Sequence, residues 1–154
     1  MDKQPNSRYC FVCGVQNPIG LHLVFYNDPA SGQVRAQITV PDPYQGYPGI
    51  VHGGIVAAIL DEVAGRAVLL HTSDENLMAT LRLTVRYLRP TPTGVPLTVV
   101  GWVEQLGGVG ARVAGQIRLP DGTVSAECQA TLATVSEEFR GRWEDEKPYW
   151  KVYE

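Results

Sequence analysis

The hydrophobic positions change period along the chain, and each change marks an element. Leu21 to Tyr26 is an apolar run of strand length, and Asn27 to Gly32 reads as a turn. Val34, Ala36, Ile38 and Val40 then alternate with Arg35, Gln37 and Thr39, the period-two pattern of a half-buried strand. The two runs predict a β-hairpin. Pro41 to Ile50, with three prolines ahead of Gly49, reads as a loop. From Gly53 to about Leu70 the spacing becomes helical: Ile55, Val56, Ile59, Leu60, Val63, Ala67 and Leu70 fall on one side of a helix of roughly 17 residues. Four strands follow: Thr80–Leu88, Pro96–Leu106, Val109–Leu119 and Thr123–Val135. Gly107-Gly108 and Asp121-Gly122 supply hairpin turns between them. The pattern predicts an α+β domain in which an antiparallel sheet of about six strands wraps one long central helix. Residues 1–20 read as an irregular, cysteine-containing segment, 21–135 as the folded body, and 136–154 as a charged, aromatic tail with a short helix.

Composition narrows this picture. A chain of 154 residues is the size of one domain and buries a core without disulfides. With 44% hydrophobic and 19% charged residues it is globular, and its 16 glycines and 11 prolines fit many turns and short strands. A net charge of −3 offers no basic excess for a phosphate backbone, so a nucleic-acid partner is not expected. Met1 to Tyr9 lacks the apolar stretch of a secretory signal. The longest apolar run, Ile55 to Leu60, is far too short to span a bilayer. A cytoplasmic, non-membrane protein is expected. Three cysteines, Cys10, Cys13 and Cys128, argue against a disulfide framework.

The candidate chemistry sits where the helix begins. The first amides of a helix lack intrahelical partners and carry the positive end of the macrodipole. At His52-Gly53-Gly54 the missing Cβ atoms let a ligand approach those amides, which suits a carbonyl oxygen that becomes negative during attack. A flexible Gly-Gly entry into a helix is the plainer reading. Asp61 shifts the balance. At about 100° per residue it shares a face with Gly54, Ala57, Ala58, Ala64, Gly65 and Val68, nearly all small. Ile59, Leu60, Val63 and Leu70 point the other way, toward the sheet. The small face predicts a groove approached by a ligand or by a second subunit's helix. A partly desolvated carboxylate there suits a base or nucleophile, although local hydroxyls or amides would equally tether an aspartate. Glu62 and Arg66, four apart, read as a surface ion pair on the rim. His52 could act as acid or base, but its place before the helix suggests that it orients the loop.

These residues carry a resemblance. Gly46-Tyr47-Pro48-Gly49-Ile50-Val51-His52-Gly53-Gly54, with Asp61 nine residues after His52, resembles the hotdog-fold acyl-CoA thioesterases. The likeness is closest to the phenylacetate-pathway (PaaI-type) branch, and the order of elements extends it over roughly residues 20–135. The resemblance implies hydrolysis of an acyl-CoA to a free acid and coenzyme A without a cofactor. The backbone amides of Gly53 and Gly54 would polarise the thioester carbonyl, Asp61 would attack it or activate water, and Thr80 would position that water. It also implies a homodimer, pairing further into a tetramer, with the helix start of one subunit facing the carboxylate of the other. Substrate contacts are expected from Gln45, Gly49, Ala57, Ala58 and Gly65. The sequence departs from the family at one place: an Asn or Gln often stands six residues before the histidine, where this chain has Gly46, with Gln45 one position earlier.

The phosphates of coenzyme A need cations, and Arg86, Arg89 and Arg112 are candidates, although each also reads as a solvated sheet residue. Cys10 and Cys13, followed by Gly14, look like half a zinc site that His22 and Cys128 would have to complete. No second pair follows at standard spacing, so no metal is expected and the two read as packing residues. Two other functions remain open: an acyl or acyl-CoA binding module without turnover, and a hydratase or dehydratase. The latter would need a differently placed acid–base pair, and His71 is the only histidine after Asp61.

Overall fold

The computed structural model describes residues 1–73 and 77–154. Its elements run β1 (Asp2–Lys3), β2 (Tyr26–Asp28), β3 (Gln33–Thr39), α1 (Gly53–Arg66), β4 (Met78–Tyr87), β5 (Pro96–Leu106), β6 (Gly110–Arg118), β7 (Val124–Thr134) and α2 (Glu137–Glu146). The strands form one seven-stranded antiparallel sheet in the order β1-β2-β3-β5-β6-β7-β4. The central helix lies across β5, β6 and β7, giving the predicted α+β arrangement with seven strands in place of about six.

Alternation accounts for the core. On β7, Ala126, Cys128, Ala130 and Leu132 are buried while Gln129 and Thr131 face out. Val56, Ile59, Leu60 and Val63 of α1 meet that inner face together with Val34, Leu97, Val99 and Ile117. Each such side chain contributes about 1.5–3 kcal/mol by leaving water. The helix settles deeply because Gly101 of β5 and Gly115 of β6, paired across the ladder, lie under Val63. A Cβ on Gly101 would collide with the Val63 carbonyl.

Three predicted boundaries move. The helix ends at Arg66 and tightens into a 3-10 turn, Ala67–Leu70, where the Ala67 amide donates to the Ala64 carbonyl. The tighter winding keeps Ala67 and Val68 in the core. The run Leu21–Phe25 does not join the hairpin with β3. Its Leu21 and Leu23 amides donate to the Phe11 and Val12 carbonyls, so it pairs with the N-terminal loop, and only Tyr26–Asp28 reaches β3. The N-terminal segment, read as irregular, supplies β1 at the sheet edge.

The aromatic tail docks on that N-terminal segment. Lys151 bridges to Asn6, and Arg8 pairs with Glu146 at 2.7 Å while its guanidinium lies 3.9 Å from the Tyr149 ring centre. Trp143 and Trp150 stack edge to face at 5.5 Å. At the other edge of the sheet, β4 is paired only with β7. It is also unusually exposed for a strand beside a core, with Leu81 71% and Tyr87 56% accessible. Among the described residues, no helix is long and apolar enough to cross a membrane.

Candidate active site

The loop before α1 is shaped by its own hydrogen bonds. The Gly46 amide donates to the Ile50 carbonyl and the His52 amide to the Tyr44 carbonyl, which folds residues 44–52 back toward the helix. Gly49 adopts φ +78°, a left-handed turn position that glycine takes without strain. Its amide donates to Gln45 Oε1 at 3.1 Å. The geometry of both residues is therefore explained by the turn: Gln45 braces its own loop, and Gly49 does not line the cleft described next.

At the helix start, His52 is the cap. Its Nδ1 accepts from the Gly54 amide at 2.9 Å, which puts the ring proton of a neutral imidazole on Nε2. The Ile55 and Val56 amides turn back to the His52 carbonyl. Of the first amides, that of Gly53 has no acceptor among the described residues, whereas that of Gly54, expected to share the polarising role, is already engaged. Tyr87 of β4 closes over this end, donating its hydroxyl to the Gly53 carbonyl at 2.7 Å. Together with Tyr47, Ile50, Arg89 and Pro90, these residues surround an open cleft of about 590 Å³.

Two turns further along α1 lies Asp61. Its Oδ1 accepts from the Thr80 hydroxyl at 2.7 Å, so the structure brings these two predicted residues together. They stand on the wall of a second cavity of about 370 Å³, with Gly65, Leu69, Met78 and Trp143 among its other walls. A β-bulge between Thr80 and Arg82 makes the contact possible. Leu81 is the extra residue, so Thr80 faces α1 although Leu83 and Val85, of opposite parity, do so too.

The small helix face is only partly open. Gly54, Ala57, Asp61 and Gly65 are accessible; Ala64 and Val68, expected in the groove, are buried at 0% and 2%, although Val68 still lines the Asp61 cavity. Ala58 packs against the core. Ala58 and Ala64 therefore belong to the core side of the helix.

The cations separate. Arg89 lines the cleft beside Gly53. Arg86 pairs with Glu127 at 3.2 Å on the sheet face turned away from α1, and Arg112, opposite exposed Thr131, shares that face. Strand alternation puts both on the wrong side for a ligand at Asp61 of the same chain. Glu62 also departs from expectation. Its Oε1 accepts from Arg66 Nε at 2.9 Å, but Arg66 is 4% exposed, stacked on Phe25 and Trp150 and donating to Gln4 and Pro5. The N-terminal segment and the tail cover this stretch of α1, so Arg66 is buried and Glu62 is half-buried on the wall of the Asp61 cavity, not on an open rim. Burial pushes the Glu62 carboxyl above its usual range, against the pull of Arg66.

Glu62 also meets the cysteines. Cys10 Sγ lies 3.8 Å from Glu62 Oε2. A hydrogen bond from the Cys10 thiol draws Cys13 well below the ordinary thiol range, with help from Arg66, while Cys10 is raised by that same bond and by burial. His22 and Cys128, the sequence candidates for completing such a group, are elsewhere: His22 bonds the Asn17 carbonyl and Cys128 the Leu60 carbonyl. Burial lifts the Cys128 thiol to about 12.

Sequence reasoning passed over Tyr87, Trp143, Trp150 and the burial of Glu62. The alternation of β4 carried a signal for Tyr87, which shares the parity of Leu83 and Val85. The tail carried none.

Residues 48–126 match the family model described as the thioesterase superfamily. The chain is 31% identical to acyl-coenzyme A thioesterase THEM4 of Xenopus laevis over 69% of its length, and spans 46% of that protein. Among solved structures, thioesterase superfamily protein RHA08564 matches with TM-score 0.72 and 35% identity, over 82% of this chain and 63% of that one. The phenylacetic acid degradation-related protein of Ralstonia eutropha JMP134 matches with TM-score 0.66 and 28% identity, over 74% and 86%.

Proposed function

This chain belongs to the thioesterase superfamily, and from that premise we propose that it hydrolyses an acyl-CoA to a free acid and coenzyme A. The observation that carries the reading is the Asp61–Thr80 pair, hydrogen bonded at 2.7 Å on the wall of a largely apolar cavity. A carboxylate held there would be wasted on a groove that only binds an acyl chain. In the proposed reaction the acyl group occupies that cavity, and its walls of Leu69, Leu77, Met78 and Leu132 suit an alkyl or aryl group. Asp61 takes the proton of an attacking water, or itself attacks the thioester carbon to give a mixed anhydride that water then hydrolyses to the free acid. The Gly53 amide, backed by the helix dipole, stabilises the negative oxygen, and coenzyme A leaves as its thiolate. Thr80 fixes the carboxylate, and Arg89 meets a coenzyme A phosphate. The likeness to an acyl-coenzyme A thioesterase supports this substrate class. Three free cysteines fit a reducing, cytoplasmic setting.

The same geometry supports a homodimer. Gly53 and Asp61 lie on one helix, eight residues apart. At 1.5 Å per residue that is about 12 Å, far beyond the reach of a single thioester carbonyl. In the proposed dimer the Gly53 of one chain and the Asp61 of another serve each site. The exposed edge of β4, which carries Thr80, Leu81 and Tyr87, is where a second copy would pair.

Steady-state hydrolysis of a panel of acyl-CoAs by wild type and Asp61→Asn tests the reading. The variant is expected to lose about 10²–10⁴-fold in kcat while keeping its circular dichroism. Absence of turnover on every acyl-CoA, or full rate in Asp61→Asn, would sink it.

A further inference from the structure

We propose that Cys10, Cys13 and Glu62 bind one zinc-class divalent ion, which ties the N-terminal segment to the central helix beside the Asp61 cavity. The two cysteines share one turn and Glu62 lies some fifty residues away on α1, yet one donor atom from each lies within 4.8 Å of the others. They are the one group of three such donors found among the described residues. Tetrahedral zinc, with Zn–S near 2.3 Å and Zn–O near 2.1 Å, needs a sulfur–oxygen separation of about 3.6 Å. Cys10 Sγ and Glu62 Oε2 already stand at 3.8 Å.

The surroundings of the donors match those of a metal site. Residues 10–14 form a tight turn in which the Gly14 amide donates to the Cys10 carbonyl at 2.7 Å and the Cys13 amide points at Cys10 Sγ at 3.5 Å. An amide aimed at sulfur favours the thiolate, the form that binds metal. Only glycine fits at position 14, because a Cβ would collide with the backbone of Cys10. The Ser7 hydroxyl takes the Cys10 amide at 3.1 Å and lies 3.5 Å from Cys13 Sγ, within reach to donate to it. The Arg66 guanidinium holds Glu62 Oε1 at 2.9 Å and leaves Oε2 free toward the sulfurs. Ligand carboxylates in metal sites are oriented in this way by outer partners.

Charge favours the same occupant. With both thiols ionised on metal binding, two thiolates and a carboxylate would bring three negative charges to a covered place where Arg66 supplies one positive charge. A divalent cation brings the sum to zero, which removes the cost of crowding like charges out of water. Two sulfur donors select zinc or another borderline-soft ion over magnesium or calcium. Three protein ligands leave the fourth position to water.

The ion would act as a staple. The Cys10 side chain comes from a loop that lines the same cavity as Asp61, so the metal would hold one wall of the acyl pocket against α1. The site does not depend on the hydrolytic reading, and its test reads metal and not turnover.

The full chain, purified reduced and exposed to zinc, is expected to hold one zinc per chain by elemental analysis, in competition with a chromophoric chelator. Cobalt in place of zinc is expected to give a thiolate-to-metal charge-transfer band in the near ultraviolet. Glu62→Gln and Cys10→Ser should each weaken zinc at least about 100-fold, more than loss of an outer-shell partner costs. Cys128→Ser should leave it unchanged. On the wild type, zinc should shield Cys10 and Cys13 from alkylation in peptide mapping. Failure of the reduced wild type to retain zinc or give the cobalt band overturns the proposal. So does zinc binding that survives both Glu62→Gln and Cys10→Ser.

Discussion

Replacing Gly53 with proline removes a single hydrogen-bond donor and little else. Gly53 is the first helical position, where the ring of proline is preorganised and its missing N–H breaks no helical bond. The preceding residue must be extended, and His52 already is, at φ −53° and ψ 135°. A Cβ on Gly53 would meet Tyr87 at 3.6 Å or beyond, ordinary contact. The His52–Gly54 cap and the Tyr87–Gly53 carbonyl bond both survive. The variant should therefore fold and melt like the wild type. Losing an oxyanion donor of this kind costs about 10²–10³ in kcat, or about 2.7–4 kcal/mol of transition-state stabilisation. Thiol release from an acyl-CoA, followed continuously with a chromogenic disulfide, measures it. A second arm tests the sharing of sites. Gly53→Pro and Asp61→Asn chains, carrying different tags, are co-expressed and the dimers isolated together. Random pairing makes half of them hybrids, each with one site intact and one doubly broken, so about a quarter of wild-type activity should return. Were Gly53 and Asp61 partners within one chain, no site in any hybrid would be whole. Gly53→Pro activity within about threefold of wild type would refute the role of the amide. Isolated hybrids no more active than their parents would refute the shared site.

Two further predictions concern the carboxylate and the packing beneath it. Thr80→Val removes a hydrogen bond to a charged group worth about 1.5–3 kcal/mol; kcat should fall about 10–100-fold with KM little changed, and an unaltered kcat would separate Thr80 from the chemistry. Gly101→Ala pushes a methyl into the Val63 carbonyl and should cost about 3 kcal/mol, lowering Tm by about 6–12 °C in a thermal melt. The helical Gly141→Ala, with open space around it, should instead raise Tm slightly.

The sheet and helix were legible where one rule decides them. Pro96–Leu106 matches β5 end to end because turn residues bound it on both sides, and β6 and β7 fall within a residue of their predicted ends. Asp61 stood out because a charge on a helix face of glycine and alanine contradicts its neighbours. What lay hidden depends on parts of the chain far from one another. Glu62 and Arg66 have the spacing of a surface pair, and nothing local announces that Gln4, Phe25 and Trp150 will enclose them. The Leu81 bulge is equally silent, and without it Thr80 would share the parity of Arg82 and Arg86 and face away from Asp61. Arg86 was recoverable, since its alternation with Val85 and Tyr87 already placed it on the outer face.

Gly101 and Gly115 work together as a detent. With Val63 seated over this paired gap in the sheet, α1 is indexed about its own axis as well as along it. Advancing the helix by one residue would swing Asp61 through about 100° and off its line to Thr80. The bearing of the carboxylate is thus set from below by two residues that face no ligand. A change there would alter what the site does to a substrate while leaving every group that touches the substrate in place.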